Sequence, residues 1–503
     1  MEDFSRQRSI TYLRAVAHLQ QEKIGRLETE LAALRARLGD TTALVEKNTT
    51  LEEMLALARK HQFGRSSERQ PGTKPPKKPR DPKPGHGSRQ QPHLDTQIVY
   101  HEVPEGERVC TACGGELSEM EGVFDEAALI TVTMRNFIRQ LHRQKKYRCR
   151  CNGCIKTAKG PMRLVDGGLY SIEFAAEVAA AKFSDHLPLT RQARIMGYEG
   201  LVIDSQTLWD QLEALAKLLT PTVEAIVARI LKLPVIGCDE TRWLLLDNGQ
   251  VKENRLWQSW CLMGIDLVAY RIMDSRGMVA ATELLGEYKG VIIADAYTVY
   301  QSLARQTGLF VVALCWAHVR RRFIESQENF PAECNEALTM IKALYAIERE
   351  GKRAQRSEEG KAKGADLAAL RDQKSRLLVD AIFIWAKELR ARELPRGGLG
   401  EALGYLLNNE AGLRRFLEDP RIPIDNNQTE AAQRGIVLGR KNHYGSRSRR
   451  GTEVAAIYYT LVESAKLAGV SPKDYILAVA RAARENPGTV LLPADFKALL
   501  APE

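Results

Sequence analysis

Three acidic residues sit where a magnesium-dependent nuclease centre would need them: Asp239 in VIGCDETRW, Asp295 in VIIADAY and Glu430 in PIDNNQTEAAQRG. Asp239 closes an apolar run from Leu233 to Gly237, and Asp295 closes another from Val291 to Ala294. Each carboxylate is therefore expected to emerge at the end of a buried strand. Glu430 follows a Pro-Asp-Asn-Asn turn and opens a segment of helical character. Two strand-end aspartates and one helical glutamate can converge on a pair of divalent cations, magnesium or manganese. Such a pair activates one oxygen and stabilises another during in-line attack on phosphorus. Any one of these acids alone would more often be a solvated edge residue. Asp425, in the same turn, competes with Glu430 for the third position.

The stretches between the acids give the set its weight. Arg255 to Ile265 and Leu267 to Met273 read as two further strands joined by the tight Gly264-Ile265-Asp266 link, a hairpin. Met278 to Leu285 has helical spacing, Val291 to Ala294 is strand, Val299 to Arg305 is helix, and Leu309 to Leu314 is a short strand before AHVRRRF. Three antiparallel strands, helix, strand, helix, strand is the order of an RNase H-like fold. Its first and fourth strands lie side by side, which would bring Asp239 and Asp295 together. Trp243 shares the Asp239 face of its strand by period-two alternation and is expected to pack in the core.

The segments CDETRW, SRGMVAATELL, ADAYTVYQSL, CWAHVRRRF and DNNQTEAAQRGIVLGRKNHYGS, with DHLPLTRQARIMG upstream, resemble the DDE transposases of the insertion sequence 66 family. The likeness extends to a leucine-zipper start, to FGRSSE at Phe63 to Glu68 and to a cysteine module, and so spans nearly the whole chain. The resemblance implies that Asp239, Asp295 and Glu430 are a metal-binding triad. It further implies a bacterial DNA transposase that binds the terminal inverted repeats of its element, hydrolyses a phosphodiester to free a 3′ hydroxyl and joins that hydroxyl to target DNA. Many DDE transposases carry a helical insertion before the last core helix, and members of this family often work with two small accessory proteins. The alternatives are an RNase H-like nuclease and a catalytically decayed copy that acts as a DNA-binding repressor.

The chain has 503 residues, 44% of them hydrophobic, and a formal charge of +10. That is several domains' worth of ordinary globular sequence with a mild preference for polyanions. No apolar segment of signal-peptide or membrane-spanning length opens the chain, so a cytoplasmic protein without a membrane partner is expected. Between Arg59 and Arg89 lie ten Lys or Arg residues against only Glu68 and Asp81, in a Pro/Gly-rich stretch that reads as a flexible basic tether or DNA-tracking arm. A second group, Arg434, Arg440, Lys441, Arg447, Arg449 and Arg450, follows the candidate glutamate with no acid between Ala431 and Arg450. Uncompensated positives there suit DNA phosphates. Arg320 and Arg321, after His318 in CWAHVRRRF, are placed on the DNA backbone too, and His318 is expected to orient the active site or that backbone rather than to bind metal.

Ile24, Leu27, Leu31, Leu34, Leu38, Thr41 and Val45 alternate three- and four-residue steps, a heptad seam expected to form a coiled coil and a homo-oligomer, most simply a dimer. Cys110 with Cys113 and Cys151 with Cys154 form two CxxC knuckles, enough thiolates for one structural zinc, with Cys149 or His142 as substitute ligands. Cys238, Cys261, Cys315 and Cys334 are expected as buried thiols. The fold class is thus multidomain α+β: a coiled-coil helix (1–58), a basic linker (59–93), a zinc-binding module (94–165), a helical region with a helix-turn-helix-like pattern suited to DNA (166–232), an RNase H-like core (233–328), a helical insertion (329–407) and core completion with C-terminal helices (408–503).

Overall fold

Every residue of the strand Trp257–Met263 is buried, so the sheet around it must be covered on both faces. The computed structural model describes residues 21–30, 98, 112, 114, 137–148, 155–247, 250–251, 257–356, 366–392 and 397–500. The chain divides into two units, Arg69–Asn136 and the remainder, and every strand and helix named here belongs to the larger. Its central sheet has five strands: β1 Val235–Trp243, β2 Trp257–Met263, β3 Val268–Met273, β4 Gly290–Ala294 and β5 Phe310–Leu314. They lie in the order β3-β2-β1-β4-β5. The pairs β1/β2 and β2/β3 are antiparallel, whereas β4 pairs with β1 and β5 in parallel. The expected hairpin is present, closed by Gly264 N donating to Leu267 O at 2.8 Å.

Immediately before the sheet run α1 Ile172–Phe183, α2 Leu189–Tyr198 and α3 Ser205–Ile230. Leu208, Leu212, Leu215, Leu219, Val223, Ile226 and Ile230 bury one face of α3 at three- and four-residue steps. Helices α4 Met278–Leu285 and α5 Thr298–Thr307 make the crossovers on either side of β4. After β5 come α6 Trp316–Ser326, α7 Pro331–Arg356, α8 Arg376–Arg390 and α9 Gly398–Asn408. Their apolar faces form a second core with Ile293, Leu314, Trp316, Phe383 and Phe416. The chain ends in α10 Asn427–His443, α11 Arg449–Ala468, α12 Pro472–Glu485 and α13 Pro493–Leu499.

A sheet edge exposes unpaired backbone groups, and α11 closes the β3 edge with hydroxyls. Thr460 Oγ1 accepts from Tyr270 N at 3.0 Å, while Ser464 Oγ accepts from Val268 N at 3.1 Å and donates to Val268 O at 2.8 Å. Residues four apart on a helix thereby match residues two apart on a strand.

Helix α7 runs unbroken through Gly351 to Arg356. Gly351 permits this: a Cβ there would lie 2.6 Å from Leu367 Cδ1, so the glycine is a close helix contact rather than a break. Arg371 opens a π-helical turn, Arg371–Ser375, and is fully buried. Its guanidinium bonds both Glu348 oxygens, at 2.7 and 2.8 Å. It also donates to the carbonyls of Phe416, Asp419 and Ile422. The insertion therefore grips the chain that leads into α10.

Residues 21–30 are helical, with Ile24 and Leu27 partly covered. The seam from Leu31 onward lies outside the described residues, as do Cys110, Cys113, Cys149, Cys151 and Cys154. An antiparallel ribbon, Lys146–Arg148 with Ile155–Thr157, flanks residues 149–154, and His142 beside it is exposed.

Replacing Arg371 by Met strands the Glu348 carboxylate and three carbonyls, and is expected to cost about 3–5 kcal/mol in urea unfolding. The Glu348→Met/Arg371→Met double variant should recover part of that loss. Equal losses in the single and double variants would show that the ion pair is not what matters.

Candidate active site

Helix α10 is laced to β1 through one row of polar side chains. Asn426, its N-cap, donates to Cys238 O at 2.9 Å, Gln433 donates to Asp239 O at 3.2 Å, and Arg440 donates to Arg242 O. The seven-residue spacing puts all three on one helical face. β4 ends at Ala294, just past the last parallel pair, Gly237 with Ile293, so α10 supplies donors where β1 has lost a neighbouring strand. The approach is close. A Cβ on Gly237 would lie 2.0 Å from Thr429 Oγ1, which makes glycine a requirement at that position.

This register brings the sequence-predicted acids together. Asp239 and Asp295 each lie two residues beyond the Gly237–Ile293 pair; Asp295 follows the end of β4 as expected, whereas Asp239 lies in the middle of β1, because antiparallel pairing with β2 carries that strand on to Trp243. Glu430 sits in the first turn of α10, which packs against β1. The effect is visible on Asp239, whose carboxyl is pushed up to about 7 by burial and then by the charges of Glu240, Asp295 and Glu430. Asp295 Oδ1 accepts from Tyr297 N at 3.0 Å, which fixes its loop. Glu430 Oε1 is buried and has no hydrogen-bond partner among the described residues. Clustered carboxylates with such an unmatched oxygen suit divalent cations.

Asp425, the competitor for Glu430, turns elsewhere. Its oxygens accept from Asn427 N at 3.2 Å and Asn427 Nδ2 at 2.8 Å, an Asx turn that shapes the start of α10. His318 lies beside Glu430, with Nε2 3.7 Å from Oε1. Cys315, a buried thiol as expected, caps α6, and its Sγ accepts from Asn426 N at 3.2 Å. Trp243 packs in the core and donates Nε1–H to Ser446 Oγ at 3.2 Å.

Sequence reasoning passed over Glu240. Its side chain is 2% exposed and accepts from Arg276 Nε at 2.9 Å and from Tyr300 OH at 2.9 Å. Burial raises its carboxyl and the Arg276 contact opposes that rise. Arg276 in turn lies 4.1 Å over the Tyr297 ring. The available signal was the arginine of SRGM and the tyrosines of ADAYTVY, each close in sequence to an acid or a turn. Among the basic residues, Arg440 is spent on β1, and Arg450 pairs with Glu213 at 3.1 Å and Glu453 at 2.9 Å. Arg434, Lys441, Arg447 and Arg449 are exposed around α10 and the start of α11, as are Arg320 and Arg321 on α6.

The sequence profile of the IS66 transposase family matches residues 167–454, a span that includes all three acids. Three proteins of Sinorhizobium fredii, each described as uncharacterized, are similar along most of their length. One, y4jD, is 30% identical over 81% of this chain and 81% of its own. Another, y4qI, is 28% identical over 97% of this chain and 92% of its own, and y4hP is 27% identical over 78% and 74%. No solved structure matches.

The raised Asp239 carboxyl fixes the sign of a pH effect. An acid whose folded pKa exceeds its unfolded value binds more protons when folded, so stability falls as pH rises through the interval between them, here from about 4 to about 7. In chelator-treated protein, Asp239→Asn is expected to remove that slope and to raise stability near pH 8 by roughly 1–3 kcal/mol. Thermal unfolding at pH 5 and pH 8 checks it; an unchanged slope in the variant would show that Asp239 does not carry the strain.

Proposed function

We propose that this chain, which belongs to the IS66 family of transposases, cuts DNA at the ends of its element and joins the freed 3′ hydroxyls to target DNA, with Asp239, Asp295 and Glu430 as its catalytic acids. The observation that carries the reading is the meeting of these three residues, from two adjacent strands and a helix far apart in sequence, at one place on the β1/β4 boundary. The strand order and the mixture of parallel and antiparallel pairs support an RNase H-like core. Retention of all three acids favours an enzyme over a DNA-binding repressor.

The acids fit a pair of magnesium or manganese ions, which would supply charge neutralisation and Lewis acidity at the scissile phosphate. The protein's own share is positioning. The Asn426, Gln433 and Arg440 contacts hold Glu430 to β1, and Arg276 with Tyr300 keeps Glu240 engaged beside Asp239. Arg434, Lys441, Arg447, Arg449, Arg320 and Arg321 would bind phosphates of the element end and the target, while His318 orients Glu430. No covalent protein–DNA intermediate is needed, because both steps are displacements at phosphorus by an oxygen nucleophile.

Holding two ends at once calls for an oligomer, and the heptad seam from Ile24 is the proposed device, with a dimer the simplest form. The CxxC pairs are proposed to hold structural zinc, and α2 with α3 to contact end DNA as a helix-turn-helix-like pair. No helix among the described residues is long and apolar enough to cross a membrane.

Asp239→Ala, Asp295→Ala and Glu430→Ala should each abolish strand cleavage of end DNA with magnesium while changing binding of that DNA only a few-fold, because phosphate contacts carry most of the affinity. Cleavage that survives in any one variant removes that residue from the site. Full activity in all three would overturn the reading.

A further inference from the structure

Three ligand-bearing side chains of different chemistry meet at the foot of α6. The Cys315 sulfur, a His318 ring nitrogen and a Glu430 carboxylate oxygen all lie within 4.8 Å of one another. The separation of His318 Nε2 and Glu430 Oε1, 3.7 Å, is too long for a hydrogen bond. It is close to the spacing of about 3.4 Å that two ligands adopt around a tetrahedral ion with bonds of roughly 2.1 Å. Glu430 Oε1 is buried and has no hydrogen-bond partner among the described residues. The sulfur sits at the N-terminus of α6 and accepts from Asn426 N at 3.2 Å, while burial pushes its thiol up to about 11, so its proton leaves only when a metal displaces it.

We propose that Cys315, His318 and Glu430 form a second cation site, selective for a borderline-soft divalent ion such as zinc, which shares Glu430 with the proposed magnesium centre. Ligand softness drives the selectivity. Magnesium requires oxygen donors in octahedral array, whereas a sulfur, a nitrogen and an oxygen at tetrahedral spacing suit zinc or cobalt(II). Binding replaces the thiol proton, which goes to solvent, with the metal–sulfur bond, and no redox step is involved. An ion held here takes Glu430 away from Asp239 and Asp295, so zinc would inhibit magnesium-supported cleavage. The inhibitory role rests on the function proposed above, but metal binding at the site does not.

Cobalt(II) titration of the full chain, with absorption spectroscopy, separates the two. Wild-type protein is expected to bind one cobalt more than Cys315→Ser, with a thiolate-to-cobalt charge-transfer band lost in that variant. Each CxxC pair is intact in both proteins and cancels from the difference. His318→Gln and Glu430→Gln test the other two ligands, and each should weaken that extra equivalent at least about tenfold. If Cys315→Ser unfolds by circular dichroism, His318→Gln alone decides. Equal cobalt binding and spectra in wild type and every folded variant would overturn the site. In cleavage assays, the ratio of activity with and without micromolar zinc should rise toward one in Cys315→Ser. A ratio unchanged from wild type, with cobalt binding lost, would sink the inhibitory role while leaving the site. A chain inactive with magnesium under all conditions would count against the transposase reading alone, because the cobalt difference is read without DNA.

Discussion

The row of side chains that ties α10 to β1 is the interaction on which the site depends. Asp239, Glu240, Asp295 and Glu430 repel one another, and burial of Asp239 strengthens that repulsion. Asn426, Gln433 and Arg440 hold the helix bearing Glu430 against that repulsion by bonding carbonyls of β1. Opening this seam would leave those carbonyls without donors, and a buried unsatisfied group costs about 1–3 kcal/mol. The close approach of Thr429 to Gly237 adds steric precision to the bonds.

Other parts of the fold serve the same seam from a distance. Arg371 in the insertion holds residues 416–422, and Ile424 O accepts from Trp316 N at 3.1 Å, so the chain entering α10 is fixed on two sides. The helices from α7 to α8 thus fix the chain that leads into α10 without adding a strand to the sheet. On the far side of the sheet, α11 packs along β3, and its Thr460 and Ser464 satisfy the edge. Tyr270, in that same strand, donates through its OH to Ala432 O at 2.7 Å and links the closed edge back to α10.

The central sheet was legible because its strands are short apolar runs bounded by turns, and the β1/β4 pairing follows from their order. Asp239 and Asp295 could be found because each ends such a run. Glu430 could be found because a turn and a helical pattern frame it. What stayed hidden depends on partners remote in sequence. Glu240 reads as an ordinary strand residue until Arg276 and Tyr300 surround it. Arg440 reads as one more phosphate ligand until its guanidinium meets Arg242 O. The nearness of Cys315, His318 and Glu430 likewise comes from the packing of α6 against the start of α10 and not from any local spacing.

Asp239, Asp295 and Glu430 are proposed to hold the pair of divalent cations together. Iron(II), substituted for magnesium and treated with ascorbate and peroxide, generates hydroxyl radicals that cut the polypeptide next to the bound ion. Mapping those cuts in the intact protein tests the claim without DNA. Cleavage is expected at three separated places, near residues 239, 295 and 430, suppressed by excess magnesium. Cuts that cluster around Asp425 or at a single one of the three segments, unaffected by magnesium, would contradict it.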